Sequence, residues 1–154
     1  MAGVTTRTSP SVHRLWAATT ALFALAVLFL TLRPDSTVNS ANFVPFREHG
    51  AAWSCLLSQC SGAAASAQFL VRDVLGNIVV FFPIGFAAAG ALSGHSNGKR
   101  ILLAVGGGLL LSLFIETVQF QIATRATDVD DVIFNTIGAA FGAVAFVAVR
   151  WRAD

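Results

Sequence analysis

The sequence predicts an all-α integral membrane protein built as a bundle of four transmembrane helices. Of its 154 residues, 55% are hydrophobic and only 12% are charged, and the mean hydropathy is +0.71. Soluble domains carry about 25% charged residues. Four apolar windows approach the roughly 20 residues that a helix needs to cross a bilayer. Because lipid cannot solvate unpaired backbone groups, each window is expected to be helical.

The predicted transmembrane helices cover approximately residues 15–32, 74–92, 101–120 and 132–149. Residues 1–12 are expected to form a disordered cytoplasmic tail, and residues 13–152 a single membrane domain. The first window is longer than the roughly 7–15 apolar residues of a signal peptide. Its length therefore favours a retained helix over the alternative of a cleaved signal.

The distribution of basic residues predicts the orientation of the bundle. If the amino terminus is cytoplasmic, the cytoplasmic side receives Arg7, Arg14, Lys99, Arg100, Arg150 and Arg152. The opposite side receives Arg33, Arg47, Arg72 and Arg125. Basic residues favour the cytoplasmic face, so both termini are predicted to be cytoplasmic.

The long connection between the first two helices is then extracytoplasmic. Its second part, AAWSCLLSQCSGAAASAQFL, is apolar enough for a short helix at the membrane surface. Trp53, Leu56 and Leu57 are the predicted buried face of this interfacial helix.

Cys55 and Cys60 are the only cysteines in the chain, and the predicted orientation exposes them to an oxidising compartment. They form either a disulfide or two small buried apolar side chains. A straight helix directs positions five apart towards different faces, so a disulfide requires a turn at Ser58 or Gln59.

Polar side chains recur at one depth in three of the predicted helices. At about 1.5 Å of rise per residue, Asn77, Glu116 and Asn135 each lie about 6 Å inside the outer end of their helix. One stripe of the fourth helix carries Asp131, Asn135, Gly138 and Gly142. Polar groups in membranes tend to face the bundle interior and mark functional sites. The pattern predicts that these side chains meet in one outward-facing polar pocket.

Each of these residues also has a structural explanation. Asp130 or Asp131 can cap the fourth helix, and membrane-embedded asparagines can join helices for about 1 kcal/mol. Arg125 can pair with Glu116 or Asp128. The three histidines, His13, His49 and His95, are expected to be surface residues, with Arg47 and His49 as a basic pair above the pocket.

The chain resembles the VanZ-like family of small membrane proteins over about residues 42–142. The elements of the resemblance are NFVPF at 42–46, Asp73 with Asn77, Pro83 and Gly85, Glu116 with Gln119, and Arg125 with Asp128, Asp131, Asn135 and Gly138. The resemblance implies a bacterial cytoplasmic membrane protein and a link to teicoplanin susceptibility. Many similar proteins lie outside resistance clusters, so it does not assign glycopeptide resistance.

The leading functional prediction is that the pocket binds an amphiphile of the cell envelope, such as an anionic lipid or a lipid-linked envelope precursor. Glu116 and Asp131 are the predicted general acid and base. The predicted binding residues are Asn42, Arg47, Asp73, Asn77, Gln119, Arg125, Asp128 and Asn135. Arg47 and Arg125 would bind an anionic head group, because the guanidinium group suits bidentate contacts. No motif names a reaction, so enzymatic activity is left open.

Two other function classes remain. One is a proton-coupled transporter or permeation subunit that uses Glu116, although the inner halves of the helices are nearly free of polar residues below Ser112. The other is a non-catalytic scaffold of envelope machinery. No metal, cofactor or nucleic acid is expected, and an oligomer is compatible with the sequence.

Overall fold

The predicted all-α membrane fold is confirmed by a computed structural model, which describes residues 9–33, 40–122 and 126–153. Four helices in these residues are long and apolar enough to cross a membrane. Their large apolar side chains point outwards, and Leu22, Leu102 and Leu110 are 66%, 71% and 69% exposed. Such surfaces are costly in water, whereas a bilayer solvates them.

The helices are α1 (Pro10–Thr31), α2 (Arg47–Leu57), α3 (Ala63–Leu70), α4 (Gly76–Ala91), α5 (Asn97–Gln121) and α6 (Val129–Ala153). A π-helical turn, Val71–Leu75, joins α3 to α4, so one continuous span runs from Ala63 to Ala91. Two short strands, β1 (Ser40–Asn42) and β2 (Ala126–Asp128), pair in parallel.

All four spans begin earlier than the sequence predicts, and the differences are largest for the first two. The second span begins at Ala63 rather than near residue 74, because AAASAQFL contains no helix breaker and is rich in alanine, the best helix former. The first span begins at Pro10, a residue whose fixed backbone angle suits the first helical position. Residues 10–12 therefore belong to α1 rather than to the predicted tail.

The predicted interfacial helix corresponds to α2, which lies between the first two spans. Trp53 and Leu57 are exposed on the surface of the protein, and their insertion into a bilayer remains a prediction. A disulfide joins Cys55 to Cys60. Gln59 adopts a left-handed conformation, with φ at 51°, so the turn lies where a disulfide requires one.

Glycines bring α4 and α6 into backbone contact. Gly85, Gly138 and Gly142 lie against the carbonyl groups of Ala139, Ile78 and Phe82, respectively. A Cβ atom at any of these positions would overlap the neighbouring backbone. This close packing matches the glycine stripe predicted on α6, and it holds the polar end of α4 against the start of α6.

The two-stranded sheet adds an element that the sequence analysis does not predict. Ser40 pairs with Ala126 and Asn42 with Asp128. Strands of three residues are too short for an alternating apolar pattern to reveal them. The pairing ties the connection that follows α1 to the one that precedes α6.

Candidate functional site

A polar cavity of about 420 Å³ lies where α1 and α5 end and α6 begins, next to the π-helical turn. Six of the predicted site residues line it: Asp73, Asn77, Glu116, Gln119, Asp131 and Asn135. They come from three of the four spans. The structure therefore brings together the layer of polar residues, while their roles in binding or catalysis stay predictions.

Hydrogen bonds between helices hold the amide side chains of the cavity. Asn77 Nδ2 donates to Asp131 Oδ1 at 2.5 Å. Asn135 Nδ2 donates to Ser112 Oγ at 2.9 Å, and Gln119 Nε2 donates to the Thr31 carbonyl at 3.0 Å. These contacts orient each amide.

Two amide oxygens of the lining residues are unsatisfied. Gln119 Oε1 and Asn135 Oδ1 are buried and accept no hydrogen bond within the described part of the chain. Their side chains are almost fully buried, with residue exposures of 3% and 4%. Buried polar groups are normally paired. These two oxygens are therefore suited to accept hydrogen bonds from a molecule that carries donor groups.

Glu116 connects the cavity to the two-stranded sheet. Glu116 is 7% exposed, and its Oε2 accepts the backbone N–H of Asp128 at 3.0 Å. The Asp128 carboxylate in turn accepts the side-chain amide of Asn42, with 3.2 Å to each oxygen. Asn42 and Asp128 thus support the cavity from the strands and do not line it.

Of the two predicted arginines, Arg47 lies away from the cavity. Arg47 is exposed at the start of α2 and is not among the residues that line the cavity. Arg125 lies outside the described residues. Arg72, which the sequence analysis does not place in the site, does line the cavity. It belongs to the π-helical turn, where side-chain directions depart from α-helical spacing, so periodicity does not assign it to this face.

The expectation that His49 is a surface residue is wrong. His49 is only 7% exposed. The start of α2 packs against the start of α6, so that the ring lies between two carboxylates. His49 Nδ1 lies 2.8 Å from Asp130 Oδ2, in hydrogen-bond geometry. Nε2 lies 2.9 Å from Asp73 Oδ2, at ion-pair distance but outside hydrogen-bond geometry.

Asp130 anchors α2 to α6. Its side chain is fully buried, and its carboxylate accepts the backbone N–H of Phe46 at 2.8 and 3.0 Å. Phe46 precedes α2 in a left-handed conformation, with φ at 59°. The Asp130 carboxylate therefore binds the start of α2, whereas Asp128 Oδ1 accepts the backbone N–H of Asp130 at the start of α6, at 2.9 Å. The contact with α2 depends on tertiary structure.

The sequence matches the family model described as VanZ/LLP1 over residues 15–150. The protein belongs to the VanZ/LLP1 family. Within this family, the chain is similar to Protein VanZ of Enterococcus faecium, with 37% identity over 73 residues. The aligned part makes up 46% of this chain and 42% of that protein, so the chain matches less than half the length of its relative. No solved structure matches the chain.

The matched region of this VanZ/LLP1 protein contains the whole polar cavity. Three carboxylates line the cavity, those of Asp73, Glu116 and Asp131, together with the guanidinium group of Arg72. The described residues contain no cluster of three or more His, Cys, Asp or Glu side chains that could hold a metal ion. The cavity wall therefore offers mainly hydrogen-bond acceptors. Among the residues that the structure describes, Arg72 is the cationic group in the wall.

Proposed function

We propose that this VanZ/LLP1 protein binds the head group of a cell-envelope amphiphile in the polar cavity. The observation that carries the proposal is the convergence of six polar side chains from three spans on one cavity of about 420 Å³. Polar groups at membrane depth are costly to bury. A cluster of them around an open volume is therefore better explained by a ligand than by helix association alone.

The lining residues define the chemistry of the head group. Arg72 supplies a guanidinium group, which suits bidentate contact with phosphate oxygens. The carboxylates and the two unsatisfied amide oxygens accept hydrogen bonds from hydroxyl or amino groups. A bare phosphate would face repulsion from three carboxylates. The ligand is therefore an anionic lipid or lipid-linked precursor whose phosphate is flanked by hydroxyl or amino groups.

The proposal places the cavity on the outer side of a bacterial cytoplasmic membrane, with both termini in the cytoplasm. The supporting observation is that six of the ten lysines and arginines then lie on the cytoplasmic side. An outward cavity would meet envelope precursors and lipids after they leave the cytoplasmic leaflet. This location is consistent with the link to teicoplanin susceptibility that the family resemblance implies.

Acid–base chemistry on the bound head group is a second part of the proposal, with Glu116 and Asp131 as the acid and base. Both carboxylates line the same cavity, and each is held by a donor, the Asp128 N–H and the Asn77 amide. The transporter alternative gains no support from this geometry. Phe81 and Ile115, which also line the cavity, belong to a buried apolar cluster with Val27 and Ile84.

Native mass spectrometry of the gently purified protein tests the binding proposal. The probes are short-chain phosphatidylglycerol, whose phosphate is flanked by hydroxyl groups, and short-chain phosphatidic acid, whose phosphate is bare. We expect phosphatidylglycerol to bind more tightly, and Arg72→Gln to weaken its binding about tenfold, as loss of a charge-assisted hydrogen bond does. Arg14→Gln, at the opposite end of α1, is the matched control. Equal binding by wild type and Arg72→Gln would contradict the head-group assignment.

A second experiment separates a functional cavity from a scaffold. Glu116→Gln and Arg125→Lys preserve approximate side-chain size, and protein level and teicoplanin susceptibility are measured in parallel. A change in susceptibility at unchanged protein level supports a functional cavity. Loss of protein alone, with susceptibility following its amount, supports the scaffold.

A further inference from the structure

We propose that His49 is a positioning residue, whose charged ring links the buried Asp130 to Asp73 and so holds the Asp73 carboxylate at the wall of the cavity. Its role in ligand binding rests on the proposed function, whereas the bridge itself does not. His49 does not line the polar cavity. It acts on the ligand only through Asp73.

The His49 ring lies between two carboxylates. His49 Nδ1 and Nε2 lie 2.8 and 2.9 Å from carboxylate oxygens of Asp130 and Asp73. A neutral imidazole has one donor nitrogen and one acceptor nitrogen, and only the protonated ring has a donor at both. A ring that donates to Asp130 through Nδ1 can attract the Asp73 carboxylate through Nε2 only when it carries the second proton, so the proposed bridge requires the imidazolium.

Asp130 is a buried residue that needs polar partners. This side chain is 0% exposed, and a buried carboxylate is strongly destabilising unless it is paired and hydrogen-bonded. The Phe46 N–H and the His49 ring supply these partners. His49 is thus fixed on one side by a residue that cannot move without breaking the attachment of α2 to α6.

Two phenylalanine rings help to shield the His49 ring from water. The rings of Phe69 and Phe134 each lie 5.1 Å from the His49 ring, measured between centroids. The Asp73 carboxylate faces the ring from the π-helical turn, and the Asp130 carboxylate faces it from α6. Shielding strengthens the attraction between His49 and Asp73, which restricts the carboxylate to the orientation that the cavity presents.

Nuclear magnetic resonance of a single-histidine protein tests the bridge. His13 and His95 are exposed, so His13→Gln and His95→Gln leave only the His49 signals after labelling with ¹⁵N-histidine. At pH 6 we expect two slowly exchanging ring N–H signals, one for each carboxylate. Asp73→Asn should shift or remove the Nε2–H signal and leave the Nδ1–H signal in place. A ring with one protected N–H, or spectra that Asp73→Asn leaves unchanged, would overturn the bridge.

Binding of short-chain phosphatidylglycerol tests the positioning role. We expect Asp73→Asn to weaken binding about tenfold and His49→Gln to weaken it to a similar extent, with little added loss in the double variant, because both act through one carboxylate. Thermal unfolding in detergent shows whether each variant is folded. Additive losses, or folded variants with wild-type affinity, would contradict positioning. If the wild type fails to bind, the proposed function fails, whereas the spectra still decide the bridge.

Discussion

The side-chain amide of Asn77 donates a hydrogen bond to the carboxylate of Asp131 at 2.5 Å, joining α4 to α6 inside the polar cavity. Asn77→Ala removes this donor and leaves Asp131 without it. We expect the free energy of unfolding in detergent to fall by about 1 kcal/mol, the usual size of such bonds in membranes. A double-mutant cycle with Asp131→Ala measures the coupling. Additive effects of the two substitutions would show that the bond contributes nothing to stability.

The backbone contact between α4 and α6 depends on glycine. Gly142→Ala places a Cβ against the Phe82 carbonyl and the Phe86 amide nitrogen, so one helix must shift. We expect a loss of about 1–3 kcal/mol in the free energy of unfolding, as for other overpacked sites. Gly107→Ala on α5 is the matched control, because nothing lies within 4 Å of its added Cβ. Equal melting temperatures for the two variants would contradict close packing of α4 against α6.

The disulfide between Cys55 and Cys60 predicts a redox-dependent labelling pattern. Protein from isolated membranes should resist a maleimide reagent under denaturing conditions, and should take up two labels after reduction, because these are the chain's two cysteines. Labelling is read as a mobility shift on a gel. The Cys55→Ser and Cys60→Ser double variant is the unlabelled control. Full labelling without reductant would show that the bond does not form in the membrane.

The proposed orientation is tested by single cysteines in the same double variant. Ser61 lies in the exposed turn between α2 and α3, and Asn97 lies exposed at the start of α5. We expect a membrane-impermeant maleimide to label Ser61→Cys in intact cells, and Asn97→Cys only after the membrane is opened. The reverse result would place the cavity on the cytoplasmic side and remove its access to outer-leaflet ligands.

The layer of polar residues shows how much of the candidate site can be predicted from the sequence. Helical rise alone predicts a common depth for Asn77, Glu116 and Asn135, and all three line the same cavity. Apolar windows of near-bilayer length predicted four spans, and four are found among the described residues. Such predictions succeed because a bilayer imposes one length scale and one rise per residue on every span.

The sequence does not predict the contacts of three residues, His49, Arg72 and Asp130. The ring of His49 is buried only because α2 folds back onto α6, and Arg72 faces the cavity from a π-helical turn. No periodic pattern of apolar residues predicts the packing of α2 against α6 or the π-helical turn. The membrane class, the number of spans and the depth of the polar residues can all be predicted from the order of residues, since they depend on apolar length and helical rise. The carboxylates that His49 contacts and the position of Arg72 at the cavity are visible only in the folded protein, because they depend on how segments far apart in the chain pack together.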